Sequence, residues 1–150
     1  MCMMLYMACN RRMPIISYDK QNPSFYVEEL SNQDNEFFRN AYNKFLKIFP
    51  DNYIYKVCAH SGCGCGFSYG INPIYDEDDI EEENECKIST EKLIAYLKSN
   101  IQSDEEIKLY SCITGNEMNQ MDSIRTLKVS QMELGKQFKL NNRELMKIIK

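Results

Sequence analysis

The 150-residue sequence has no tryptophan, only one histidine and four prolines, and no apolar run that approaches the length of a membrane span. A membrane-spanning helix needs about 20 consecutive apolar residues, so we expect no membrane association. Basic residues are also in the minority, with 18 Lys and Arg against 22 Asp and Glu and a net charge of −4. Binding to a phosphate backbone needs a basic surface, so we expect no nucleic-acid partner.

Cysteine, in contrast, is abundant, with seven residues in the chain. An odd number of cysteines without a secretion signal favours reduced thiols over a disulfide framework, and therefore a cytoplasmic location. The length predicts a single domain over residues 1–150, large enough to bury a hydrophobic core.

The hydrophobic pattern predicts an α+β fold in which two helices pack on a mostly antiparallel sheet. The first helix is expected after a capping box at Ser31 and ends before Pro50. The second is expected to begin at Ser89 or Thr90. The stretch that contains Phe138 and Leu140 is predicted to be a short extended segment. Strands are predicted at residues 2–8, 25–30, 53–60, 107–113 and 124–134, and residues 143–150 form either a strand or a last helical turn.

Residues 76–86 form an acidic segment that ends at Cys86. Like charges at this density repel one another, so the segment is predicted to be a solvated or mobile insert. Its charge also suits the attraction of a basic protein partner, for example a toxin that the chain would neutralise.

The most distinctive stretch runs from Cys58 to Phe67 and contains three thiols, the only imidazole and three glycines. Cys58, His60, Cys63 and Cys65 offer three sulfurs and one nitrogen, a set that a tetrahedral zinc site accepts. Copper(I) is the alternative ion because thiolates are soft ligands. Strand alternation places Cys58 and His60 on one face, about 7 Å apart.

Other cysteines can take the place of one of these ligands only if the sheet brings their strands alongside. The candidates for such a replacement are Cys2, Cys9 and Cys112.

Thiol chemistry is a second interpretation of the same stretch. Backbone amides in a glycine-rich loop lower the pKa of a thiol, so Cys63 or Cys65 would be a nucleophile or redox partner, with His60 as a nearby base. Removal of Met1 would instead expose Cys2 as an N-terminal nucleophile with its own amine as base. Whether the protein is an enzyme stays open at this point.

The third interpretation gives the cysteines no chemical role. Free cysteine behaves as a small hydrophobic residue and is among the most buried residue types. The protein would then be a non-enzymatic binding module that acts through its acidic surface. Two cysteines separated by one glycine in a polar loop fit this interpretation poorly.

Four parts of the chain resemble a family of small uncharacterised bacterial proteins. They are Met1-Cys2, the segment 22–27, the block His60-Ser-Gly-Cys-Gly-Cys-Gly-Phe67, and Leu109-Tyr-Ser-Cys112. The resemblance runs over most of the chain, and the Gly-Cys-Gly-Cys-Gly-Phe block is its distinctive part. It implies a bacterial cytosolic protein, and it carries over no activity, fold or functional residue.

Overall fold

The computed structural model describes residues 2–117, 120–134 and 139–150. Its six strands form one sheet in the order β2-β3-β1-β4-β6-β5, and all neighbours pair antiparallel except β5 and β6, which are parallel. Together with two helices this confirms the predicted α+β fold. The strands are β1 (Met3–Cys9), β2 (Phe25–Glu29), β3 (Tyr53–Ala59), β4 (Glu106–Ile113), β5 (Ser123–Lys128) and β6 (Glu144–Ile149).

Strand β1 lies at the centre of the sheet, between β3 and β4. Its side chains alternate between two hydrophobic clusters, one on each face of the sheet, so every residue of the strand after the first is buried. Leu5 and Met7 belong to one cluster, and Met4 and Tyr6 belong to the other. A strand covered on both faces reads as a continuous apolar run, and residues 2–8 show such a run.

Helix α1 (Glu36–Ile48) covers the face of the sheet that contains Tyr6. Asn35 caps the helix by accepting a hydrogen bond from the amide of Phe38 at 3.1 Å, four residues after the predicted cap at Ser31. Phe45 packs with its ring centroid 5.0 Å from that of Tyr6. Aromatic residues at helical spacing therefore fix α1 to the centre of the sheet.

Helix α2 (Glu77–Asn100) covers the opposite face. The predicted start at Ser89 or Thr90 is wrong, because both residues are buried in the interior of a helix that begins twelve residues earlier. Asp76 caps α2 by accepting the amide of Asp79 at 3.0 Å. Negative side chains in the first turn also interact favourably with the helix dipole. The acidic segment, predicted as an insert, therefore lies in the first turns of α2.

The last part of the chain forms strands β5 and β6, and it differs from the prediction in one place. The predicted strand 124–134 is shorter, because β5 ends at Lys128 and a 3-10 helix follows at Val129–Gln131. Within residues 143–150, Glu144–Ile149 form strand β6 rather than a helical turn. Phe138 lies outside the described residues. Within the described ranges, neither helix is long and apolar enough to cross a membrane.

Candidate metal centre

The glycine- and cysteine-rich stretch begins as a tight turn at the end of β3. The amide of Gly62 donates to the carbonyl of Ala59 at 3.0 Å, and the amide of Ala59 donates to the carbonyl of Cys63 at 2.9 Å. Gly62 has a φ of +79°, a left-handed conformation that favours glycine because it has no Cβ. The turn therefore reverses the chain and brings Cys63 back beside the last residue of β3.

A 3-10 helix, Gly64–Phe67, follows the turn and passes very close to the end of β3. A Cβ atom on Gly66 would lie 2.6 Å from the Cβ of Ala59 and 2.7 Å from the Nδ1 of His60. Since carbon atoms in contact are about 3.5–4.0 Å apart, only hydrogen fits at this position. Only glycine at position 66 therefore allows the 3-10 helix to lie this close to Ala59 and His60.

Three cysteines meet where this stretch passes the beginning of β1. The sulfur atoms of Cys2, Cys63 and Cys65 all lie within 4.8 Å of one another, close enough to hold one metal ion. Cys2 is exposed, Cys63 is buried and Cys65 is half-buried. We refer to these three residues as the thiol trio. It is open to solvent on the side of Cys2.

The central position of β1 explains how Cys2 reaches the two other cysteines. The carbonyl of Cys2 accepts hydrogen bonds from the amide and hydroxyl of Thr114, at 2.8 and 2.9 Å, where β4 ends. On the other side of β1, the amide of Met3 donates to the sulfur of Cys65 at 3.1 Å. The end of β4 on one side and the 3-10 helix on the other therefore hold the backbone at the start of β1 in place at the thiol trio.

The members of the thiol trio differ in acidity. Burial raises the pKa of Cys63, but hydrogen bonds from the Ser61 hydroxyl, the Cys65 amide, and the thiols of Cys65 and Cys2 outweigh it, so the pKa is lowered overall. Burial raises the pKa of Cys65 to about 11; the Met3 amide partly offsets this rise and the neighbouring Cys63 adds to it. Cys63 is therefore the member that loses its proton before Cys65.

His60 lies in a second group of possible ligands, beside α2. Its Nε2 is 2.9 Å from Oε1 of Glu82, and its Nδ1 is 2.9 Å from the hydroxyl of Ser89. The sulfur of Cys86 lies 3.7 Å from the same Glu82 oxygen. The ligand atoms of His60, Glu82 and Cys86 lie within 4.8 Å of one another. We refer to these three residues as the histidine group.

The four ligands predicted from the sequence are therefore divided. Cys63 and Cys65 are together, and Cys2 takes the third position, one of the replacements that the sequence allowed. His60 belongs to the other group, because β3 ends at Ala59 and strand alternation does not extend beyond it. Among the described residues, Cys58 belongs to neither group.

Cys58 is fully buried on β3, opposite Tyr26 of β2. Burial raises the pKa of its thiol to about 11, and a hydrogen bond with the Tyr26 hydroxyl only partly offsets this. Since it lies outside both ligand groups, its thiol belongs to the packing between β2 and β3.

Glu82 and Cys86 are the site residues that the sequence analysis missed. Their spacing of four residues places them on one face of a helix, above Ser89 and the buried Leu93. That spacing could have identified them, but the acidic segment was not expected to be helical. His60 could then have been assigned to this helix face rather than to the cysteines that follow it.

No protein-family model, curated protein or solved structure matches the chain. Cysteine, histidine and glutamate side chains are placed so that they can hold a metal ion.

Proposed function

We propose that the protein binds a thiophilic metal ion at the thiol trio, and that this ion is zinc. The observation that carries the proposal is the approach of three sulfur atoms, from two distant parts of the chain, to within 4.8 Å of one another. Three protein ligands leave the fourth position of a tetrahedral zinc ion open for water or another ligand. No reaction is assigned to the site.

The environment of the sulfurs favours ligation over a packing role. Cys63 and Cys65 lie at the edge of a hydrophobic cluster, but their sulfurs also lie beside each other and beside the exposed Cys2, which a purely packing role does not require. The Ser61 hydroxyl supports the same geometry: it accepts the amide of Gly66 at 3.1 Å and lies 3.5 Å from the sulfur of Cys63. Partners around the ligands that fix their orientation are typical of metal sites.

An all-sulfur site also suits copper(I), which is a soft ion and accepts thiolate ligands. The observed set lacks the imidazole of the predicted set, and this strengthens copper(I) as the alternative. Either ion requires reduced thiols. All seven cysteines are free, which supports the cytoplasmic location proposed from the sequence.

Metal binding should protect Cys2 from alkylation. In reduced, metal-free protein the exposed Cys2 should react rapidly with iodoacetamide, and one equivalent of Zn²⁺ should slow this reaction by about tenfold or more, because a bound thiolate is not free to attack. Mass spectrometry of peptides measures the rate at each site. Cys9 and Cys112, both fully buried, serve as controls and should stay unlabelled until the protein unfolds. An unchanged Cys2 rate with both Zn²⁺ and Cu⁺ would contradict the proposal.

Thiol chemistry is a second candidate, and the lowered pKa of Cys63 favours it. A thiolate beside two further thiols has partners with which it can form a disulfide once an oxidant takes up two electrons and the partner thiol loses its proton. In metal-free protein, Cys63 should then react with a small disulfide reagent faster than Cys65. The reverse order would exclude Cys63 as the reactive thiol.

A further inference from the structure

We propose that the histidine group is a second metal site, separate from the thiol trio, that takes a divalent cation of borderline softness such as Zn²⁺, Co²⁺ or Ni²⁺. The group supplies one nitrogen, one oxygen and one sulfur. Mixed ligands of this kind suit imidazole-binding divalent ions rather than copper(I), which prefers sulfur. The site does not depend on occupation of the thiol trio.

The hydrogen bonds of Ser89 fix which nitrogen of His60 is available. The Ser89 hydroxyl donates its only proton to the carbonyl of Ser24 at 2.7 Å. It can only accept from its other neighbours, the backbone amide of His60 at 3.2 Å and the Nδ1 of His60 at 2.9 Å, so Nδ1 carries a proton. In the neutral ring the lone pair is then on Nε2, which faces Glu82. Metal-binding histidines are typically oriented in this way, by donation from the nitrogen that does not bind the metal.

The contact between His60 and Glu82 requires a positive charge between the two side chains. With a neutral ring and an ionised carboxylate, Nε2 and Oε1 would both be acceptors, only 2.9 Å apart. Either a proton or a metal ion must occupy the line between them. Tetrahedral zinc with bonds of about 2 Å holds nitrogen and oxygen ligands about 3.3 Å apart. A small movement of the exposed Glu82 side chain is enough to replace the proton with zinc.

Cys86 completes the set without rearrangement of the helix. Its sulfur lies 3.7 Å from Oε1 of Glu82, close to the separation of about 3.5 Å that sulfur and oxygen ligands of tetrahedral zinc adopt. Both residues are on α2, one turn apart, so their relative position is fixed by the backbone. The buried side of the site is thus rigid, and its adjustable member is the exposed Glu82.

The surface in front of the histidine group attracts cations. An open cleft of about 410 Å³ is lined by Pro23, His60 and four carboxylates of α2. Carboxylates of one sign lining a cleft raise the local concentration of cations. A cation drawn into the cleft meets Nε2 of His60, whose side chain is 10% exposed. The four carboxylates belong to Asp78, Glu81, Glu82 and Glu85.

The single histidine makes a direct test possible, because every imidazole signal in an NMR spectrum belongs to His60. Zn²⁺ is added in molar excess to the reduced full-length protein, and the imidazole ¹⁵N shifts are recorded. We expect Nε2 to move to the shift of a metal-bound nitrogen while Nδ1 keeps its proton. Imidazole signals that do not change would overturn the proposal, and so would loss of the Nδ1 proton.

Two matched variants distinguish a site from general attraction by the acidic surface. Glu82→Gln should weaken Zn²⁺ binding at His60 by about tenfold or more, because it removes a ligand. Glu81→Gln removes the same charge from the same cleft but no ligand, so we expect less than about a threefold change. Equal losses in the two variants would overturn the assignment.

A third variant separates this inference from the proposed function. When Cys2, Cys63 and Cys65 are all replaced by serine, the response of His60 to Zn²⁺ should persist, whereas its loss would show that there is no separate second site. Protection of Cys2 in a His60→Gln variant tests the thiol trio alone. The two proposals can therefore fail independently.

Discussion

Replacing Cys63 with serine is expected to weaken zinc binding at the thiol trio by about 100-fold or more, because loss of a ligand exceeds the 10–100-fold cost of losing a supporting contact. Cys63 has the strongest effect because hydrogen bonds from both other thiols and from Ser61 converge on it and lower its pKa. Competition between the protein and a chromophoric chelator, at fixed pH under reducing conditions, measures the affinity.

Cys112→Ser is the matched control for this experiment. Cys112 is also a buried cysteine and belongs to the same hydrophobic cluster as Cys63, but it lies in neither ligand group. Its replacement should leave zinc affinity unchanged. Thermal unfolding of both variants checks that each still folds. Equal affinities of Cys63→Ser and Cys112→Ser for zinc would contradict the assignment of the thiol trio.

Gly66→Ala is expected to lower the free energy of unfolding by about 3 kcal/mol, the upper end of the range for an added methyl group in a well-packed region. The large value is expected because Ala59, only 2.6 Å from the new Cβ, is held in β3. Any movement that relieves this clash displaces the turn and His60 together. We therefore also expect the variant to lose zinc binding at both groups. Urea unfolding and zinc titration measure the two effects.

The control for Gly66→Ala is Gly115→Ala. Gly115 adopts a positive φ, +97°, which Gly66 does not, and an added Cβ at Gly115 would meet no atom within 4 Å. Its replacement should cost only the backbone strain, about 1 kcal/mol, and leave both ligand groups intact. If the two variants were equally stable and both bound zinc, the close approach at Gly66 would have no structural importance.

The fold was largely predictable because hydrophobic alternation is a local property. The apolar run of β1 indicated a strand buried on both faces, and the aromatic spacing around Phe45 indicated a helix. Repulsion between neighbouring carboxylates, taken alone, predicts that the acidic segment is an insert and not part of a helix. The Asp76 cap stabilises the start of α2, and the helix dipole interacts favourably with the charges of its first turn, Glu77, Asp78 and Asp79.

The site was predictable only where its geometry is local. Cys63 and Cys65 are two residues apart, and their proximity follows from that spacing. The third position depends on sheet order, which brings Cys2 beside them although it is more than sixty residues away, and no local pattern encodes this. The direction of His60 depends on where β3 ends, and strand boundaries are poorly defined by sequence patterns. A protein partner for the acidic surface stays a prediction.

The central position of β1 has a consequence for biosynthesis. Its two neighbours in the sheet are β3 and β4, and β4 (Glu106–Ile113) lies far from β1 (Met3–Cys9) along the chain. At a translation rate of about 5–20 residues per second, β4 emerges from the ribosome roughly 5–20 seconds after β1. During that interval the apolar strand and Cys2 have no partner on one side, so a reducing environment and chaperones matter most for the nascent chain. Cys2 is therefore fixed beside Cys63 and Cys65 only after Thr114, whose amide binds the Cys2 carbonyl, has been synthesised.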